Sequence, residues 1–414
     1  MNSETALLSL ILDRPERLDE CQDLLPEDFS GAHRSVFVAM RKLADSGQVV
    51  DMASLAEAGI PIETVAALVD FFAPSAAFDQ HKDAVLDAGV RRRLKVAAKE
   101  AYHAVDPAAS GQEALDAAEA AIMAVRERSP AVLKNVDGLL DTVWSEIENR
   151  MVHRQRLTGI SSGWPLVDAY TFGWQKRKLY YIGGRPAMGK TSFVLQTAAY
   201  AARVLKVPTL MVSLEMGEEE IMQRIICQDA RVSNEALARG IVTDEETARV
   251  SAALLAYKGS PFVIVDTPAL SVGQIRGYAR QVKRSFGGLG LVAVDYLGYL
   301  AGDGSRISVE ANSKALKALS KELDVPVVCA AQLSRGVESR EDKRPVLSDL
   351  RDTGAIEQDA DIAAFLYRDG YYDPEAEQNV AELLIRKNRA GRCGTVRLFW
   401  EGSSTYFGNL EMNR

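Results

Sequence analysis

Leu179-Tyr180-Tyr181-Ile182 leads through Gly183 into Gly184-Arg185-Pro186-Ala187-Met188-Gly189-Lys190-Thr191, and Ser192-Phe193-Val194-Leu195-Gln196-Thr197-Ala198-Ala199 follows. The middle stretch fits G-x-x-x-x-G-K-[ST], the P-loop pattern. The apolar run before it reads as a short buried strand and the run after it as a helix. Strand, loop and helix are the context in which the pattern binds phosphate. The glycines let the backbone wrap a phosphate at close range, and the helix N-terminus adds partial positive charge. Gly184 through Ser192 then form the nucleotide-binding segment for ATP or another NTP. Lys190 holds the β- and γ-phosphates, and the Thr191 hydroxyl ligates Mg²⁺. A Gly-rich turn containing Lys-Thr by chance is the competing reading, and the flanking strand and helix weigh against it.

At 414 residues the chain has room for two or three domains. A net charge of −8 argues against a polyanion-coating protein, although a local basic channel is compatible with it. Cys21, Cys227, Cys329 and Cys393 are scattered without a C-x-x-C, which fits reduced thiols rather than a disulfide scaffold or zinc site. His33, His81, His103 and His153 are equally dispersed, and the absence of H-E-x-x-H excludes a metalloprotease of that type. No signal pattern or membrane-length apolar run is present. The expectation is a soluble cytoplasmic protein with no membrane partner.

Residues 1–128 are rich in Ala, Leu, Glu, Asp and Arg, with apolar residues at helical spacing, as in Val36-Phe37-Met40-Leu43. Pro26-Glu27-Asp28 and Pro61-Ile62-Glu63 read as helix entries. The expectation is an all-α domain, a bundle to about residue 75 and then a helical pair at 77–104 and 111–128. Residues 129–157 read as a linker with one amphipathic helix, Val136 to Met151, followed by the basic run His153-Arg154-Gln155-Arg156. That helix is either a spacer or a device that docks on a neighbouring subunit. From 158 to 414, β-branched apolar runs at 179–183, 208–213, 262–266, 290–295, 325–331, 362–367, 382–386 and 395–400 alternate with helical patterns. Such alternation predicts an α/β domain with a mostly parallel sheet, whose ligands bind beyond the carboxyl ends of the strands.

The chemistry-bearing residues fall at the ends of those runs. Leu291-Val292-Ala293-Val294-Asp295 has the form of a strand whose terminal carboxylate positions Mg²⁺. Thr209-Leu210-Met211-Val212-Ser213-Leu214-Glu215 ends in a carboxylate suited to activating the attacking water. An N-cap or surface role for Glu215 before Gly217-Glu218-Glu219-Glu220 stays open, and those three glutamates suit a helix N-terminus. Val325 to Gln332 ends in an amide, either unremarkable after a strand or suited to touching the γ-phosphate and reporting its loss to a nearby loop. Residues 333–361 are dense in charge, either a solvated loop or a functional one at the sheet edge. Within it Arg351 and Gly354 offer a guanidinium and a bare N–H to a nucleic-acid backbone. Lys387 and Arg389 end a late strand; they are exposed hairpin cations or, in a ring, fingers that reach a neighbour's γ-phosphate.

Taken together, these segments resemble the replicative hexameric DNA helicases of the DnaB family. Ser213-Leu214-Glu215-Met216 is similar to that family's S-L-E-M, and Arg185 to Thr191 to its R-P-x-M-G-K-T. Asp295-Tyr296-Leu297, Gln332-Leu333-Ser334-Arg335 and the stretch from Lys343-Arg344-Pro345 through Ser348-Asp349-Leu350-Arg351 to Ile356-Glu357-Gln358-Asp359-Ala360-Asp361 resemble its D-Y-L, Q-L-N-R and charged signature. Lys387-x-Arg389 matches its K-x-R finger. Glu4-Thr5-Ala6-Leu7-Leu8 and Leu25 to Phe29 resemble its helical N-terminal domain, so the likeness spans nearly the whole chain. Asn388, Ala390 and Asp352 depart from the usual Gln, Asn and Glu, and Thr171 to Lys176 lacks the usual glycine pair. The helical half is short for the family, which suits a phage or mobile-element member.

The resemblance implies a RecA-like ATPase core and a homo-hexameric ring on single-stranded DNA, with 5′→3′ translocation and unwinding at a fork. It implies catalytic roles for Lys190, Glu215 and Gln332, with Lys387 and Arg389 acting on the adjacent subunit's nucleotide. Thr191 and Asp295 serve the metal, and Arg351, Asp352 and Gly354 hold the DNA backbone. A primase and a helicase loader are the implied partners of the N-terminal domain. A RecA- or KaiC-like ATPase without unwinding activity shares the core and is the alternative. A scaffold with a degenerate P-loop is opposed by intact Lys190, Thr191, Glu215 and Asp295.

Overall fold

The alternation read along the C-terminal half builds one nine-stranded sheet. The computed structural model describes residues 3–105 and 157–410, apart from 301, 303, 304 and 351–353, with scattered positions between 106 and 156. Met1–Ile147 and Glu148–Arg414 form separate compact units.

In the first unit, α1 (Ser3–Asp13), α2 (Gly31–Asp45), α3 (Met52–Glu57), α4 (Ile62–Val69) and α5 (Phe78–Val105) pack around a shared core. Leu7, Leu8, Ile11, Phe37, Met40, Val65 and Leu68 lie within it. These residues recur at three- and four-residue spacing, so each short helix turns one apolar stripe inward. Pro61 precedes α4 as expected. Pro26, in contrast, opens only a single 3₁₀ turn, Pro26–Asp28. The Asp28 carboxylate accepts from Leu25 N at 2.7 Å and closes that turn locally, which competes with helix propagation. Asp28 also pairs with Arg93 on α5, while Glu4 pairs with Arg92 at 2.9 Å and accepts from Ser30 N at 3.0 Å. Gly89 permits this approach, because a Cβ there would collide with the Asp28 carboxylate. The helix expected at 111–128, the amphipathic stretch Val136–Met151 and the basic run 153–156 lie, scattered positions excepted, outside the described residues.

In the second unit the strands are β1 (Leu179–Gly184), β2 (Thr209–Ser213), β3 (Phe262–Val265), β4 (Leu291–Asp295), β5 (Val327–Gln332), β6 (Ile362–Tyr367), β7 (Val380–Asn388), β8 (Gly394–Glu401) and β9 (Tyr406–Asn409). Their spatial order is β3-β2-β4-β5-β1-β6-β7-β8-β9. The first six strands pair in parallel, and β6 through β9 pair antiparallel. Parallel strands are covered on both faces, which explains their unbroken apolar runs. Leu179 and Tyr181 of β1 enter one core, with Val292, Val294, Val327 and Cys329. Tyr180 and Ile182 enter the other, with Leu291, Ala293, Val328 and Ala330. The ninth strand is not among the expected runs. Tyr406-Phe407-Gly408-Asn409 is too short and mixed to show a period; Phe407, fully buried, fixes it.

Candidate active site

Register brings the expected residues to one edge. Gly184 at the end of β1 lies opposite Gln332 at the end of β5, and Ser213 at the end of β2 lies opposite Asp295 at the end of β4. Leu214 N then donates to the Asp295 carbonyl at 2.9 Å, carrying the ladder one residue further to Glu215. Ser213 Oγ donates to the Met216 carbonyl at 2.7 Å and accepts from Met216 N at 3.2 Å. This turn leaves Glu215 exposed at the sheet edge. Glu218, Glu219 and Glu220 fill the first turn of the helix Glu218–Ala230, as expected for its dipole.

The loop between β1 and the helix Lys190–Arg203 needs its glycine for two reasons. Gly189 caps the helix at φ 91°, in the left-handed region. A Cβ on it would also sit 2.8 Å from the Phe407 ring. Pro186 and Ala187 are exposed, whereas Met188 is 1% exposed and anchors the loop in the core beside Phe407 and Trp400. The side chains of Arg185 and Ser192 are buried too. Arg185, Met188 and Ser192 are therefore in a position to meet a phosphate only through their backbone. Lys190 Nζ rests 3.3 Å from the Arg185 carbonyl. Burial pushes its pKa down, and the carboxylates of Asp295 and Glu215 oppose that shift.

Asp295 is 1% exposed. Burial raises its pKa to about 6, the nearby Thr191 hydroxyl lowers it, and the nearby Glu215 raises it further. Asp295 Oδ1 is buried with no hydrogen-bond partner among the described residues. An orphaned carboxylate oxygen beside a threonine hydroxyl is a donor set of hard oxygens, the type that divalent cations such as Mg²⁺ prefer. The residues present therefore fit a metal there.

Arg368 is a cation at this edge that the sequence reading missed. It follows β6 directly, donates to the Ala187 carbonyl at 3.1 Å and lies 4.6 Å from the centre of the Trp400 ring. Its burial lowers its pKa, and Tyr371 opposes that. The signal was present: Arg368 stands one residue past the run 362–367, the position at which the other strand-end groups were sought.

Lys387 and Arg389 do not join this edge. They end an expected run, but β7 is antiparallel, and Asn388 lies opposite Ile362 at the start of β6. The five residue steps of β1 separate the two sheet edges by roughly 17 Å. The ladder slips at Arg386, a bulge that re-aims the residues after it. Lys387 Nζ donates to the Glu357 carbonyl and Arg389 to the Gln358 carbonyl, while Arg389 N donates to the Asp361 carbonyl at 2.9 Å. The chain's own P-loop is out of their reach. Arg351 and Asp352 lie outside the described residues. Gly354 opens the short helix Gly354–Asp359, so the charged stretch 333–361 is not one open loop; it also contains 3₁₀ turns at Arg335–Ser339 and Leu347–Asp349.

Among the described residues no cluster of three or more His, Cys, Asp or Glu is arranged to hold a metal, and no helix is long and apolar enough to cross a membrane. Cys21, Cys227 and Cys329 are buried free thiols, and Cys393 is an exposed one.

Residues 159–409 match the DnaB-like helicase C terminal domain and residues 1–81 the DnaB-like helicase N terminal domain. The replicative DNA helicase DnaC of Bacillus subtilis is 35% identical over 433 residues, covering 99% of this chain and 94% of the relative. The replicative DNA helicase DnaB of Geobacillus stearothermophilus is 34% identical with the same coverage. A solved DnaB-like replicative helicase, studied with its primase interactions, superposes with a TM-score of 0.78 at 34% identity, covering 99% of this chain and all of that one. A second solved structure, an ATPase domain, superposes with a TM-score of 0.63 at 39% identity, covering 67% of this chain and 100% of that one. The chain belongs to the family of DnaB-like replicative helicases.

Proposed function

We propose that this protein is a replicative DNA helicase that uses NTP hydrolysis, ATP above all, to move 5′→3′ along single-stranded DNA and unwind duplex at a fork. The observation that carries the reading is the buried Asp295 carboxylate, one oxygen of which has no hydrogen-bond partner among the described residues, set near the Thr191 hydroxyl and Lys190, with Glu215 one residue beyond the same ladder. Lys190 leaves the Arg185 carbonyl and holds the β- and γ-phosphates. Glu215 orients a water and takes its proton as the oxygen attacks the γ-phosphorus. The bond to the bridging oxygen breaks, and ADP and phosphate leave. Thr191 and Asp295 would hold Mg²⁺, which when bound would supply positive charge to the phosphate oxygens. Gln332, exposed opposite Gly184, contacts the γ-phosphate.

Lys387 and Arg389 complete the site of an adjacent subunit. A P-loop on one sheet edge and its finger on the other make a head-to-tail interface, the type that closes into rings. We assign a homo-hexamer. The exposed apolar residues Val136, Leu140, Val143 and Trp144 are spaced as one helical stripe and give that assembly a second surface. Arg351, Asp352 and Gly354 contact the DNA backbone in the channel of the ring, which reconciles DNA binding with an acidic chain. A primase and a helicase loader bind the N-terminal unit, and the protein works in the cytoplasm. The domains we assign are 1–128, 129–157 and 158–414.

Lys190→Ala and Glu215→Gln each lower NTP turnover by about 100-fold or more, and Glu215→Gln still binds nucleotide. Parental turnover in either variant contradicts these roles.

A further inference from the structure

Arg185 belongs to the P-loop, but its side chain is turned away from the loop's open face. It is 8% exposed. Its Nε and Nη2 reach Glu338 Oε1 at 2.9 and 2.8 Å, and its Nη1 donates to the Leu333 carbonyl at 2.9 Å. Both partners lie in the segment that follows Gln332. That segment is tied onward. Ser334 N donates to the Asp349 carbonyl at 2.8 Å, and Leu333 pairs with Leu350 in an antiparallel bridge. Arg340 grips both carboxylate oxygens of Asp349, at 3.1 and 2.6 Å. Asp349 is itself 6% exposed and accepts from Val346 N at 2.7 Å. Leu350 directly precedes Arg351.

The other end of this chain of bonds is the nucleotide. The Arg185 carbonyl is where Lys190 Nζ rests, and Lys190 must leave it to hold phosphate. One residue thus meets phosphate arrival through its carbonyl and grips the segment 333–338 through its guanidinium. We propose that Glu338 is a positioning residue that carries the state of the nucleotide site to the DNA-contacting segment, with Arg340 and Asp349 as the next links. This rests on the reading of Arg351 to Gly354 as the DNA contact. Charge-assisted, multiply bonded groups of this kind have few alternative arrangements, so a change at Arg185 is passed as far as Asp349 and Leu350. Linkage makes the effect reciprocal: DNA at one end alters the equilibrium at the nucleotide end.

The test uses the full chain with Glu338→Gln and, at the next link, Arg340→Lys. Hydrolysis is measured with and without single-stranded oligothymidylate. Oligonucleotide affinity is measured in the presence of ADP and of a non-hydrolysable ATP analogue. Both variants keep DNA-free hydrolysis within about twofold of the parent, lose about fivefold or more of the DNA stimulation, and bind the oligonucleotide alike in the two nucleotide states. A purely structural role would lower both rates together and leave the affinity ratio alone; that outcome overturns the proposal. Parental stimulation and ratio in the variants overturn it as well, and leave the reading of the site intact. A parent whose hydrolysis ignores DNA overturns that reading and this proposal with it.

Discussion

Asp295 shows what the site costs the fold. Its carboxyl, raised by burial to about 6 from an ordinary 3.8, resists ionisation in the folded chain. Between those two values the folded state holds a proton that the unfolded state has released. Stability therefore falls as pH rises through that window, and the full cost is felt above about 6. Two pKa units set a ceiling of roughly 3 kcal/mol. Asp295→Asn removes this cost and abolishes hydrolysis. Without nucleotide, the variant melts above the parent at pH 7.5 by roughly 2–4 °C, and the gap narrows at pH 4.5. Differential scanning calorimetry at the two pH values checks this; a gap that does not change with pH contradicts it. Residue chemistry was the part most legible from sequence. Glu215, Asp295 and Gln332 stand at or just past the ends of apolar runs, Lys190 and Thr191 follow another through the P-loop pattern, and parallel register carries run ends to a common edge. The inward turn of Arg185 was not legible, because its partners Glu338 and Leu333 lie about 150 residues downstream.

At the scale of elements, sense of direction decides what the sequence alone can place. The pattern of apolar runs specifies strands but not which way each one points. Reading every run end as one sheet edge holds for β1, β2, β4 and β5 and fails for β7, whose antiparallel course sends Lys387 and Arg389 to the far edge. Short elements were the other loss. β9 has four residues and the turn at Pro26 has three, too few for a period to show. The position of β7 yields a test. Arg389→Ala abolishes hydrolysis alone, because each site lacks its neighbour's guanidinium. Mixed with Glu215→Gln subunits it regains turnover, since interfaces that pair an intact Glu215 with an intact Arg389 reform. A titration of one variant into the other measures this; no recovery at any ratio contradicts action between subunits.

For the whole molecule, two separately cored units divide the labour: a helical N-terminal bundle and a sheet that carries the chemistry. The P-loop and the Lys387/Arg389 pair stand at opposed sheet edges; on the function proposed above, one chain then supplies half of each site, and activity belongs to the assembly. The measurement that bears most directly on this is strand displacement from a forked duplex in the presence of ATP and Mg²⁺, with hydrolysis followed in parallel. The account predicts hydrolysis stimulated by single-stranded DNA and displacement that requires a free 5′ tail. Stimulated hydrolysis with no displacement from a fork bearing either tail, even when a loader is supplied, would contradict it and favour a RecA- or KaiC-like ATPase.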